Sequence, residues 1–279
     1  MTTPSIQMLL AAAGAALLQA QAPASTAKEP IADNSFFVEE AYNQEPGVVQ
    51  HISGFSRTSG LKGWAYSFTQ EWPVTGQRHQ LSYSVPILRA GSPATTGVGD
   101  LMLNYRLQAV YDEHAGVAFS PRLSVSLPTG DEKKGFGLGG TGVQVNLPVS
   151  KTLGASFVSH TNAGGTWFAK APGAGDASTR LSAVNLGQSV IWLATPRFNV
   201  MLESAWTRTT AHSDSGDRTD ETAFIIPGIR WGYDFRSGLQ VVPGLAFPIG
   251  VGRSNGTHQL FVYLSFEHPF TAAARAAVK

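Results

Sequence analysis

The chain has 279 residues, of which only 14% are Asp, Glu, Lys or Arg, against about 25% in an ordinary soluble domain. A formal charge of +1 and no cysteine leave no globally basic surface for nucleic acid and exclude disulfides, thiolate metal sites and cysteine nucleophiles. Past residue 25 no run of eighteen apolar residues occurs, so the chain does not cross a membrane as helices. Few charges with 10% aromatics and 30 glycines point instead to a transmembrane β-barrel.

In chain order, Ile6 to Leu18 form a short apolar core followed by Ala20-Gln21-Ala22, a small-x-small cleavage pattern. This predicts a secretory signal peptide over 1–22, although residues 1–7 carry no Lys or Arg; the alternative is a buried helix of a soluble fold. Residues 23–46 read as a leader. Its last part, 35–46 with Glu39, Glu40 and Glu45, is expected to fold into the periplasmic mouth as a partial stopper.

From residue 47 the apolar residues recur every second position. Leu101, Leu103, Tyr105 and Leu107 face one way while Asp100, Asn104, Arg106 and Gln108 face the other. Val200, Leu202 and Trp206 oppose Asn199, Glu203 and Thr207 in the same manner. A helix would scatter these charges, whereas a strand gathers them on one face. Twelve strands are predicted: 47–56, 63–74, 77–86, 97–110, 115–127, 138–149, 152–162, 178–194, 197–208, 222–235, 239–250 and 257–270. Most suit a tilted strand crossing about 25 Å of hydrocarbon. Longer connections (57–62, 87–96, 128–137, 163–177, 209–221, 251–256) alternate with tight ones, as in a meander with outer loops and periplasmic turns.

The expected fold is therefore all-β, a 12-stranded antiparallel transmembrane barrel over 47–270 with a tail at 271–279. Closure of the last strand onto the first leaves no bare edge in hydrocarbon. Trp64, Trp72, Trp192, Trp206, Trp231, Tyr83, Tyr105 and Tyr233 lie mostly toward strand ends, suiting the headgroup layers; a soluble sandwich core is the alternative. The strand phases send Glu71, Arg78, Asp100, Arg106, Arg122, Glu203, Arg230, Asp234 and Glu267 inward, with His160 and Asn162 as a further inward polar pair. Together they are candidates for a lumen constriction that selects solutes, or for a salt-bridged filling of a narrow barrel.

Two segments carry a family likeness. One is the glutamate-rich run Val38-Glu39-Glu40-Ala41-Tyr42-Asn43-Gln44-Glu45-Pro46. The other runs from Gly97-Val98-Gly99-Asp100 through Pro121-Arg122-Leu123-Ser124 to Leu127-Pro128-Thr129-Gly130. Over roughly residues 35–270 the chain resembles the "MetA-pathway of phenol degradation" family of outer-membrane transporters. The resemblance implies a Gram-negative outer membrane and passage of small, often hydrophobic or aromatic compounds. The alternating strand from His258 to Phe270 is similar to the C-terminal signal read by the outer-membrane insertion machinery, although TAAARAAVK follows it.

The remaining motifs are weak. Gly135-Phe136-Gly137-Leu138-Gly139-Gly140 fits a phosphate loop, but a strand follows where a helix N-terminus is needed, so a flexible outer loop is expected. Gly252-Arg253-Ser254-Asn255-Gly256 reads as a turn and not as a nucleophile elbow. Ser159-His160-Thr161-Asn162 invites comparison with outer-membrane phospholipase A, a twelve-stranded lipid hydrolase, yet lacks its His-x-Ser-Asn order. Asp214, Asp217, Asp220 and Glu221 lack calcium-loop spacing, and the seven histidines show no local zinc pair. The expectation is thus a passive channel in contact with outer-membrane lipids and a small-molecule solute, with no catalytic, cofactor or metal site. The rival functions are a membrane-embedded lipid hydrolase and a filled barrel with a structural or adhesive role.

Overall fold

A computed structural model describes residues 34–270 except 92, 173–177 and 215. The expected signal peptide over 1–22, residues 23–33 of the expected leader and the tail at 271–279 lie outside the described residues. The two-residue beat becomes twelve strands, which we label β1 (Val48–Thr58), β2 (Trp64–Pro73), β3 (His79–Ala90), β4 (Thr95–Val98, Leu101–Leu107 and Val110–Asp112), β5 (Val117–Phe119 and Arg122–Leu127) and β6 (Gly142–Leu153). They continue as β7 (Phe157–Pro172), β8 (Ser178–Thr195), β9 (Phe198–His212), β10 (Arg218–Trp231 and Tyr233–Asp234), β11 (Gln240–Ala246 and Ile249–Gly250) and β12 (Gln259–Pro269). Breaks fall where the ladder loses a donor or bends, as at Pro121 in β5 and Pro248 in β11.

Each strand pairs antiparallel with its neighbours in sequence. β12 closes onto β1 along the whole of both strands, from Val48 opposite Pro269 to Thr58 opposite Gln259. Closure supplies every strand with a partner on both sides, the condition for backbone polar groups to survive in lipid. Leu103, Leu123, Leu147, Leu186, Leu202 and Val262 are exposed on the outer face. Their sequence neighbours Asn104, Arg122, Asn146, Met201, Glu203 and Phe261 are buried inside.

Three expected loops are shorter than the sequence suggested. β7 runs to Pro172 and β9 to His212, β10 begins at Arg218, and β3 runs to Ala90, so much of 163–177, 209–221 and 87–96 is strand. The apolar beat fades there, as at Lys170 and Asp220. The antiparallel ladder needs only a partner strand, and it continues beyond the oily band as polar hairpins.

The barrel is not hollow along its axis. Gly47 has φ +84°, a left-handed conformation that costs glycine little, and the chain before it folds back into the lumen. Residues 34–44 are all buried there. Phe36 and Phe37 pack with Ile52, Ile191, Met201, Ile226, Phe261 and Tyr263, the Phe36 ring 5.5 Å from Phe261 and 5.3 Å from Tyr263. Space for it comes from missing side chains: a Cβ at Gly244 would lie 2.6 Å from the Phe36 ring. The lumen consequently has two walls. β8–β12 and β1 contribute most of the apolar side, while β2–β7 present Ser67, Thr69, Ser84, Asn104, Ser124 and Gln144.

Candidate functional site in the lumen

Residues 34–46 form neither helix nor strand, so their backbone groups need partners from elsewhere. The inward side chains supply them. Glu203 accepts the N–H groups of Phe36 (2.8 Å), Phe37 (2.8 Å) and Val38 (2.9 Å). Asn162 grips Glu39 from both sides, accepting its N–H at 2.7 Å and donating to its carbonyl at 2.6 Å. Ser150 accepts the Ala41 N–H at 2.8 Å, and Ser120 donates to the Ala41 carbonyl at 2.7 Å. Farther along, Gln108 and Gln80 accept the N–H groups of Asn43 (2.9 Å) and Gln44 (2.7 Å).

Charge reinforces this grip. The Glu39 carboxylate lies 3.2 Å from both Arg106 and Arg122 and accepts a 2.7 Å hydrogen bond from Asn146. All of these side chains are buried. Arg106 also donates to the carbonyls of Glu40 and Tyr42. Arg230 donates to the Asn34 carbonyl and sits 5.1 Å from the centroid of the Tyr263 ring.

His160 is joined to Ser150 through Nδ1 at 2.7 Å. Glu71 accepts from Gln80 at 3.0 Å and so braces the Gln44 contact from behind, while Glu267 accepts from Gln50. Of the sequence candidates, Glu71, Arg106, Arg122, His160, Asn162, Glu203, Arg230 and Glu267 are thus gathered in the lumen, seven of them within one or two hydrogen bonds or ion pairs of the N-terminal segment.

Three candidates lie elsewhere. Arg78 is exposed in the connection between β2 and β3. β3 starts only at His79, so Arg78 meets the segment through its carbonyl, which accepts from Asn43 at 3.0 Å. Asp234 is exposed at the periplasmic rim, past the main run of β10, where it pairs with Arg197 and accepts from Gln240 at 2.8 Å. Asp100 occupies the break in β4 near the opposite mouth. Its carboxylate accepts the N–H groups of Gly130 (2.9 Å) and Leu138 (2.7 Å).

Asp100 thereby ties down the loop 128–141, whose glycine-rich run 135–140 was expected to be flexible. Phe136 is buried against Leu88, with Ala65 packed alongside, and Leu138 packs with Phe168, Ala171 and Leu181. Asp131 caps the short 3-10 turn Glu132–Lys134, and the adjacent Lys134 holds that carboxylate below the ordinary carboxylate range.

Sequence reasoning put Gln108 on the inward face but named neither it nor the other uncharged partners Gln80, Ser120, Asn146 and Ser150 as site residues. A usable signal existed: long or hydroxylated polar side chains on the inward phase opposite a leader without periodicity. A second polar cluster lies at the outer hairpin, where Ser182 meets His212 Nε2 at 2.9 Å and His212 Nδ1 meets Asp217 at 2.9 Å. The backbone around Ser182 belongs to the ladders with β7 and β9, so these contacts join the outer ends of β8 and β9 to the turn that carries Asp217.

Comparison with known proteins agrees with this architecture. The structure is similar to an outer-membrane channel from Pseudomonas putida F1, with TM-score 0.63 and 15% identity over 82% of this chain and 97% of that one. It is also similar to the NanC porin, with TM-score 0.54 and 10% identity over 78% of this chain and 98% of that one. At such identities the likeness establishes the fold, a Gram-negative outer-membrane barrel. No curated protein matches the sequence. The family model described as "Putative MetA-pathway of phenol degradation" matches residues 36–266, which include most of the lumen segment as well as the barrel, and the chain belongs to that family.

Proposed function

We propose that the protein is a passive outer-membrane channel for small hydrophobic or aromatic compounds, closed in its resting state by residues 34–46. The observation that carries this reading is the apolar wall formed by Ile52, Ile191, Met201, Ile226 and Phe261 around Phe36 and Phe37. A conduit for sugars or ions has no need of such a wall, whereas an oily solute can replace the two phenyl rings on it. The family description, which names phenol degradation, and the likeness to a channel support the same reading. No bond is made or broken; Glu203, Asn162, Arg106 and Arg122 hold the closing segment, and β12 serves as the strand offered to the insertion machinery.

Uptake of a radiolabelled small phenol into proteoliposomes tests the proposal. Uptake faster than in protein-free vesicles, without matching uptake of a disaccharide, supports it. Equal rates in both vesicles would refute it. The occupied lumen favours one second reading, a filled barrel with a structural role, and that reading requires the refuting outcome.

A further inference from the structure

The alternation that turns Gln50 and Glu267 inward turns His51 and His268 outward. They are 217 positions apart in the chain, so no local spacing reveals them as a pair; closure of the barrel does. In the β1–β12 register His51 stands opposite Phe266 and Val49 opposite His268, which makes the two histidines diagonal neighbours on the outer face. Their Nε2 atoms are 3.3 Å apart, and the rings are inclined by 25° with centroids 5.4 Å apart.

Two imidazole nitrogens bound to one tetrahedral ion at about 2.0–2.1 Å stand about 3.3 Å from each other. We propose that His51 and His268 form a two-histidine site for a borderline transition-metal ion of the Zn²⁺, Ni²⁺ or Cu²⁺ class, clipping the first strand to the last. Position favours access by water-borne ions. His268 is the next-to-last residue of β12 and His51 lies three residues into β1, so the pair sits near the periplasmic rim, and both rings are partly exposed. Phe68 stacks beside His51 with centroids 6.1 Å apart, covering one flank. Gln70, opposite His51 in β2, is engaged by the Tyr83 hydroxyl at 3.0 Å.

The nearest carboxylates on these strands, Glu71 and Glu267, face the lumen and are buried. The site thus offers nitrogen without anionic oxygen, which suits borderline ions and disfavours Ca²⁺ and Mg²⁺. Water completes the coordination. The competing account is a plain N–H···N hydrogen bond between two neutral rings, which binds nothing.

The full-length protein in detergent distinguishes the two accounts through the temperature at which its compact form converts to the slow-migrating form on a gel. Zn²⁺ at a hundredfold excess over its Kd is expected to raise that midpoint by about 5 °C over the chelator-treated protein. Ca²⁺ and Mg²⁺ are expected to leave it unchanged, and His51→Asn and His268→Asn are each expected to abolish the rise. No rise with Zn²⁺, or an equal rise in both variants, overturns the proposal. Should a variant fail to fold, Cu²⁺ paramagnetic resonance on the unaltered protein decides. One ion coupled to two imidazole nitrogens supports the site, and coupling to one or none overturns it.

Discussion

The Glu203 carboxylate accepts the Phe36 backbone N–H at 2.8 Å, and its second oxygen takes the next two N–H groups of the chain. One inward side chain of β9 therefore satisfies three successive donors of a segment that has no secondary structure of its own. Hydrogen bonds to a charged group contribute about 1.5–3 kcal/mol each. Glu203→Ala is expected to shift the segment toward the released state by more than tenfold, and planar-bilayer recording should show more frequent open events than the unaltered protein does.

Glu39 lies between Arg106 and Arg122, all buried. Removing one member of such a cluster leaves charge uncompensated and typically costs about 3–5 kcal/mol. Because the chain has no cysteine, a Ser35→Cys reporter makes release visible. Maleimide should label it slowly in an otherwise unaltered barrel and at least tenfold faster when Glu39→Ala is added.

Asp100 is the fastening of the outer loop. Asp100→Ala leaves the N–H groups of Gly130 and Leu138 without their carboxylate, so loop 128–141 should open more often. Trypsin cleavage at the exposed Lys133 or Lys134 is the readout, with an expected rise of at least tenfold, since each lost bond is worth about 1.5–3 kcal/mol.

Gly244 makes room for Phe36. Gly244→Ala forces a Cβ to within 2.6 Å of the ring, an overpacking that costs about 1–3 kcal/mol. Phe36→Ala added to it should recover much of the loss in thermal stability, and the double-mutant cycle should report coupling of the two positions. Strict additivity would place Phe36 away from Gly244.

The barrel was legible in the sequence because lipid imposes a rule on every second residue. The phases of Arg106, Arg122, Glu203 and Arg230 follow directly from it. Arg78 and Asp234 escaped because alternation runs on into turns and rims, where a side chain no longer faces the lumen although its phase is right. Residues 35–46 were expected at the periplasmic mouth as a partial stopper, but their path along the lumen was not legible, since a segment held by side chains carries no period. The strand extensions at β7 and β9 escaped for the opposite reason: their ladders persist after the oily beat has ended. His51 and His268 meet only when the ends of the barrel join, and no window along the chain contains both.

Ser35 and Ser189 place their hydroxyl oxygens 2.5 Å apart inside the barrel, a separation that a disulfide between substituted positions can span. Solute uptake by the Ser35→Cys/Ser189→Cys protein, measured oxidised and then reduced in the same proteoliposomes, tests most directly whether solutes pass where the N-terminal segment lies. The account predicts that uptake of a small phenol is lost when the segment is bonded to β8 and returns on reduction. Undiminished uptake by the fully oxidised protein would contradict it.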